Sequence, residues 1–410
     1  MPISRRRFLA ASSFLACGAA VPGFWRSVAL AAPDADQPGA ADSILLVIEL
    51  TGGNDGLNTV IPFRDEVYAA ARPTLKQDAG RVLKINEGLA FHPGLGGFAR
   101  LLERSQLAIV QGVGYPNPNR SHFSSMDIWH SASFSADEPF GWLGRGVEKM
   151  GAGVNGLSIG AGDSPRALTG PSARALRLQS LADYDLKVSR GGDEGARRRV
   201  VEEFAAGDSK KGDLADLVKQ AARETYRSAA RLRQVATKYE TPVKYPATGL
   251  AERLKLVAQL IAAGVPERIY YTTLPGFDTH SNQARQHDEL LGELAGAVAS
   301  FHEDIAHHGQ QKRVLTVTFS EFGRRVKENA SLGTDHGAAS QMFVAGEAVR
   351  AGALGEHPSL TDLDDGDLKF HTDFRSVYAA ILDQWLKIPS QEVLGNKFAP
   401  IELFKKEAAG

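Results

Sequence analysis

Cysteine is nearly missing from the sequence: Cys17 is the only one in 410 residues, which excludes any intramolecular disulfide. A basic surplus is missing too. With 47 Lys and Arg against 48 Asp and Glu, the net charge is −1, and the electropositive footprint of a nucleic-acid binder is excluded. Away from the N-terminus no apolar run approaches the ~20 residues needed to cross a bilayer, so no stable membrane span is expected. Internal repeats are absent as well. What remains, 43% hydrophobic and 23% charged residues, is a globular composition, long enough for one large domain or two ordinary ones.

The first residues carry an address. Ser4-Arg5-Arg6-Arg7-Phe8-Leu9 precede a short apolar region of small residues, which ends in Ala29-Leu30-Ala31. That pattern predicts a twin-arginine signal peptide over residues 1–31, read by the twin-arginine export machinery, and a periplasmic or secreted destination. Lipidation at Cys17 is the alternative, but Phe14 and Leu15 fit a lipobox poorly. Removing residues 1–31 takes four arginines and no acid, which lowers the net charge from −1 to −5. The same cut removes Cys17, so the mature chain has no disulfide although its compartment permits one. Residues 32–42 read as a linker, and residues 43–405 as the folded domain.

Four stretches predict buried strands: SILLVIEL (43–50), LAIVQGVGY (107–115), ERIYYTTLPGFDTH (267–280) and RVLTVTFSEFG (313–323). Continuous apolar runs rich in branched residues are what parallel strands covered on both faces require. Helical patterns lie between them. His287, Leu291, Leu294, Val298, Phe301 and Ile305 recur at helical spacing along one face. Strands alternating with helices imply an α/β fold with a parallel sheet sandwiched by helices. Residues 190–263, charged and alanine-rich with Leu214, Leu217, Ala221 and Leu232 as a buried stripe, read as a helical insertion.

In an open parallel sheet, ligands bind beyond the carboxyl ends of the strands. All four predicted strands end there in polar residues: Asn54 and Asp55, Arg120 and Ser121, Asp278 and His280, Glu321 and Arg324. Turns favour Asp, Asn and Ser for conformational reasons alone, but carboxylates and imidazoles converging from four strand ends suit a divalent cation. His287 lies seven residues beyond His280, on the apolar face of its helix, where it is either a ligand or a buried, hydrogen-bonded core histidine. Asp335 and His336 are adjacent, after the loop that follows Glu321. Ser121 is placed to open a helix, as a cap or, with Arg120 beside it, as a nucleophile facing a metal and an anionic group. GLSIG (156–160) matches the G-x-S-x-G nucleophile elbow at Ser158, but no helix pattern follows directly. HEDIAHH has one residue too many for H-E-x-x-H.

ELTGGNDGLNTVIPF, VGYPNPNRSHFSSMDIW, FDTHSNQ and SEFGRRVKENASLGTDHG, with the twin-arginine start, resemble the bacterial domain-of-unknown-function 1501 family over about residues 45–390. That family is classed with the alkaline phosphatase and sulfatase superfamily, α/β proteins with a metal pair at the strand ends. The resemblance implies that Asp55 is the metal aspartate of the first strand and that Ser121 is the nucleophile. It makes Asp278 and His280 (or His287) ligands of one metal, and His336 the last metal histidine. Where the superfamily has Ser-Asp-His-Gly, this chain has Ser320-Glu321-Phe322-Gly323. Losing that imidazole implies one ion in place of two, or an oxygen-rich second site suited to Mg, Ca or Mn.

These readings combine into an exported, metal-dependent hydrolase of small or polymeric phosphate or sulfate esters. Zn, Mg, Mn or Ca would be held by Asp55, Asp278, His280 or His287, Glu321, Asp335 and His336. Ser121 would attack, and Arg120 or Arg324 would steady the anionic group. Two other functions fit the sequence: a non-catalytic exported binding protein of the same fold, and a serine hydrolase acting through Ser158.

Overall fold

The computed structural model describes residues 43–150, 156–173, 175–179 and 239–406. All four predicted strands form. They are β1 (Ile44–Thr51), β2 (Leu107–Gly114), β5 (Ile269–Pro275) and β6 (Val314–Phe319). Between them in sequence lie the short strands β3 (Gly156–Ile159) and β4 (Leu176–Leu178). After β6 come β7 (Ser340–Ala345), β8 (Gly352–Leu354) and β9 (Thr372–Asp373). The order across the sheet is β8-β2-β7-β6-β1-β5-β3-β4, with β9 also paired to β2. β1 is central and runs parallel to both β5 and β6. Only β7 runs against its neighbours β2 and β6, so the sheet is mostly parallel rather than wholly so.

β1 shows why the sheet forms. Seven of its eight residues are buried, and each fully buried Leu or Ile contributes about 1.5–3 kcal/mol. Alternate side chains enter two separate cores. Ile44, Leu46, Ile48 and Leu50 pack with residues of α1 (Gly96–Glu103), α4 (Gly249–Ala262) and α5 (Gln283–His307). Leu45 and Val47 pack on the other face with Trp129 of α2 (His122–Ser131), Leu143 of α3 (Trp142–Lys149) and Val377 of α6 (Phe374–Ala380). The six-residue stripe of α5 from His287 to Ile305 is buried throughout, as its spacing predicts.

The signal peptide, the linker and most of the insertion 190–263 lie outside the described residues. The last part of that insertion is α4, capped by the Thr248 side chain and packed between α5 and β5. Among the described residues no helix is long and apolar enough to cross a membrane.

The sheet order brings the ends of β5, β1 and β6 together as neighbours. The chain leaving β2 reaches the same edge through the loop before α2.

Candidate metal centre

The turn after β1 is pressed against the turns after β5 and β6. Gly52 and Gly53 have φ of 117° and 77°, a region that favours glycine. A Cβ on Gly52 would stand 2.4 Å from the Asp278 nitrogen, and one on Gly53 would stand 2.3 Å from the Phe322 ring. Arg324, 1% exposed, ties the three turns. Its guanidinium donates to the carbonyls of Gly53 (2.7 Å), Thr334 (2.6 Å), Phe277 (3.0 Å) and Gly52, and to Asp278 Oδ1 at 2.7 Å. A buried guanidinium persists only when its donors are taken up in this way.

Asp278, thus aimed, meets three histidines. His336 Nε2 and His280 Nε2 each lie 3.1 Å from its Oδ1, and His122 Nε2 lies 3.5 Å from its Oδ2. Candidate ligand atoms of His122, Asp278 and His336 all fall within 4.8 Å of one another. On each ring the other nitrogen faces an oxygen. His122 Nδ1 donates to Glu321 Oε1 at 2.8 Å, and His336 Nδ1 donates to the Arg120 carbonyl at 2.8 Å. His280 Nδ1 lies 3.4 Å from Asp335 Oδ1. A carbonyl or carboxylate only accepts, so these contacts keep a proton on Nδ1 and turn the Nε2 lone pairs toward Asp278.

The consequence is an incomplete arrangement. His280 Nε2 and His336 Nε2 are 2.9 Å apart, and two lone pairs cannot face each other at that distance without a proton or a cation between them. Three imidazoles and a carboxylate suit a borderline ion such as Zn²⁺, rather than Mg²⁺ or Ca²⁺, which prefer oxygen. Burial works against ionisation of Asp278, but the Arg324 guanidinium hydrogen-bonded to it outweighs that and brings its carboxyl down from 3.8 to about 2, so it is anionic at neutral pH. Its side chain is 47% exposed and that of His280 45%, which leaves the cluster open to solvent. Phe322, 2% exposed, backs the rings of His122 and His336 at 5.0 and 4.6 Å.

Of the residues expected as ligands, the structure brings together Asp278, His280 and His336. Glu321 and Asp335 stand behind histidines. Glu321 is fully buried and engaged by the Gly52 N–H (2.8 Å), Ser320 and His122. Asp335 is also bound by Asn329 at 3.0 Å.

Asp55 and His287 are outside the cluster altogether. Asp55 is fully buried against Arg72 at 2.6 Å, accepts from Gln283 at 2.5 Å, and caps the short helix Gly56–Thr59. His287 is 1% exposed, with its Nε2 3.0 Å from Asn54 Oδ1 and 3.5 Å from Thr59 Oγ1. It is a hydrogen-bonded core histidine. Of the two candidate histidines, only His280 meets Asp278.

The two arginines expected on an anion are also committed elsewhere. Arg324 holds the turns. Arg120 grips Asp367 at 2.6 Å and Asp365 at 3.1 Å, and only its carbonyl serves the cluster. Ser121 does open α2, but its hydroxyl makes no capping bond. Ser158 lies inside β3, paired with Tyr271 and Arg177, with bends and no helix directly after it, so it is not at a strand-to-helix elbow. His122 is the residue the sequence reading missed. The available signal was its position directly after Ser121, on the first turn of a helix beginning at a strand end.

The His287 burial has a measurable effect. Desolvation pulls its imidazole down from 6.5 to about 3, against the attraction of Asp55. The unfolded chain therefore takes up this proton at a pH where the folded chain does not. Stability from this group is complete above about pH 6.5 and declines toward pH 3, by about 1.4 kcal/mol per pH unit. Urea unfolding of His287→Gln is expected to show a weaker loss of stability between pH 6.5 and 4 than the parent protein. Parallel curves would remove His287 from the acid response.

The sequence profile of the family described as "Protein of unknown function (DUF1501)" matches residues 42–388, and the chain belongs to that family. No curated protein is significantly similar to it. Among solved structures it is similar to the PsFucS1 sulfatase from Pseudoalteromonas sp., at 10% identity and a TM-score of 0.36, over 96% of this chain and 72% of that one. It is similar also to the C-terminal periplasmic domain of EcEptC from Escherichia coli in complex with Zn, at 10% identity and a TM-score of 0.34, over 75% and 74% of the two chains. A third is the lipoteichoic acid synthase LtaP from Listeria monocytogenes, at 8% identity and a TM-score of 0.34, over 80% and 72%.

Proposed function

We propose that this member of the DUF1501 family is an exported hydrolase of phosphate or sulfate esters that works with one divalent metal ion. The observation that carries the reading is the convergence of three Nε2 atoms on Asp278, each with its Nδ1 facing an oxygen. His122, Asp278, His280 and His336 would hold the ion. Bound there, it would supply positive charge that stabilises a developing oxyanion and acidifies a nearby hydroxyl. Three neutral imidazoles and one carboxylate leave a divalent site with a net charge of about +1, which favours an anionic ester.

The chain's own groups prepare that chemistry. Arg324 fixes Asp278, Glu321 fixes His122, and the Arg120 carbonyl fixes His336. Ser121 lies between two residues that touch the cluster, and no capping bond holds its hydroxyl, so it is the candidate nucleophile. The twin-arginine start supports export, and aryl phosphates and sulfates are the natural first substrates. Ser121→Ala is expected to lower kcat for aryl ester hydrolysis by about 10³-fold or more, with the metal content unchanged. Equal turnover by the two proteins would eliminate Ser121 as nucleophile.

One observation favours a binding protein without catalysis. The guanidinium groups of Arg120 and Arg324 are already taken by Asp365, Asp367, Asp278 and backbone carbonyls, so neither is placed to clamp an ester's anionic group. A metal-loaded protein that turns over neither ester class would support that second reading.

A further inference from the structure

We propose that the cavity at the far end of α2 is a second binding site, one that takes the ring of a neutral sugar. The cavity is about 500 Å³, within the size range of small-molecule sites. Its walls come from the chain just after α2, from Arg145 of α3, from Arg375 of α6 and from residues 392–396 and Phe398.

Its centre is a fixed aromatic surface. The Arg375 guanidinium lies 4.4 Å from the ring centres of both Phe134 and Phe398. Its Nε and Nη2 donate to Asp373 at 2.9 and 2.6 Å. Phe134 is 49% exposed, and its ring is also tilted against Tyr115 at 5.7 Å. A phenyl ring so held, with half its surface in water, offers an apolar face at little entropic cost.

The surrounding chemistry selects the class of ligand. The charged side chains of the lining are Glu138, Glu392, Arg145 and Arg375, two of each sign. Each is already paired: Arg145 with Glu138 at 3.3 Å, Glu392 with Lys149 at 2.5 Å, and Arg375 with Asp373. A balanced, paired lining does not attract a net charge. Together with the hydroxyls of Ser133 and Ser135 and the amide of Asn396, it supplies donors and acceptors beside a phenyl face. Vicinal hydroxyls around an apolar C–H face, the pattern of a pyranose, match that set.

The cavity and the metal centre flank one helix. α2 has ten residues and is therefore about 15 Å long, with His122 at one end and the cavity at the other. Tyr115 joins the two, since its hydroxyl pairs with Ser125 of α2 at 2.7 Å while its ring meets Phe134. Sugar binding at the cavity stands independently of the metal. The further step, that the ester is carried on a glycan long enough to span both places, rests on the ester-hydrolase reading.

The experiment is saturation-transfer NMR of the intact exported protein, with and without chelator, using methyl β-D-galactopyranoside and methyl α-D-glucopyranoside as probes. Transfer to the ring protons of at least one sugar is expected, unchanged by chelator. It should weaken about fivefold in Phe134→Ala, the loss of one stacking contact, and also in Asn396→Ala. No transfer to either sugar would overturn the proposal, and so would transfer that survives both substitutions. Tighter binding of D-galacturonate than of both neutral sugars would overturn the neutral assignment. Sugar binding in a protein that holds no metal as purified and takes up none from added zinc would end the hydrolase reading and leave this site standing.

Discussion

His336→Ala is expected to leave the purified protein without stoichiometric metal, and without the thermal stabilisation that metal gives the parent. His336 offers Nε2 to the cluster while its Nδ1 is held by the Arg120 carbonyl. Alanine removes a ligand atom and leaves only His122, His280 and Asp278 to hold the ion. Removing a residue behind a metal ligand lowers affinity by about 10–100-fold, and removing the ligand itself should do more. At a zinc concentration 100 times the parent's Kd, binding stabilises the fold by about 2.7 kcal/mol, and His336→Ala should lose nearly all of that. Glu321→Gln is the graded comparison. It keeps an acceptor near His122 Nδ1 but removes the charge, so its affinity should fall within the 10–100-fold range while stoichiometry is retained. Elemental analysis, zinc titration calorimetry and melting with and without zinc read all three proteins. If His336→Ala keeps its metal content and its zinc-dependent shift in Tm, the cluster is not the metal site.

The same residues show where the sequence was readable. β1, β2, β5 and β6 could be found because a strand covered on both faces must be apolar along its whole length. β7 could not, because nothing in SQMFVA states which way the strand will run, and its direction is fixed by its partners β2 and β6. Asp278 and His280 were legible because they follow a strand directly, and His336 because it comes one loop after another, at the edge where a parallel sheet binds ligands. His122 was hidden beside a serine that had an easier interpretation. The side chains of Asp55, Arg120 and Arg324 are engaged by protein partners rather than turned to an ion or an ester, for one shared reason. The partner of each lies outside its own turn: Arg72 for Asp55, Asp367 for Arg120, and the Gly52 and Phe277 carbonyls for Arg324. A polar residue at a strand end can turn toward a ligand or toward a buried counterpart. Composition and spacing are the same in both cases.

Asp55→Asn is expected to destabilise the fold by about 3–5 kcal/mol and to leave metal affinity as it was. The carboxyl and the Arg72 guanidinium have no solvent exposure, and breaking such a pair strands a charge without water. Arg72 also donates to the carbonyls of Val326 (2.6 Å) and Arg325 (2.8 Å), so the damage reaches the loop that leads to Asp335 and His336 without touching a ligand atom. The pH dependence gives an independent check. Burial raises the Asp55 carboxyl, but the attraction of Arg72 outweighs it and brings the group to about 2 from 3.8. Since the folded state holds this proton less tightly than the unfolded state, the contribution is complete above about pH 5. It disappears as pH falls toward 2 and amounts to about 2 kcal/mol. That window overlaps the lower part of the one set by His287, so urea unfolding at pH 7, 5 and 3 should show the parent losing stability in both intervals, with Asp55→Asn losing less than the parent between pH 5 and 3. If Asp55→Asn instead binds zinc 100-fold more weakly while keeping the parent's stability, Asp55 is a ligand. The ion would then have to lie deeper than the cluster of His122, Asp278, His280 and His336. The two outcomes exclude each other because a carboxylate saturated by Arg72, Gln283 and the backbone of its own helix cannot also bind a cation without giving those partners up.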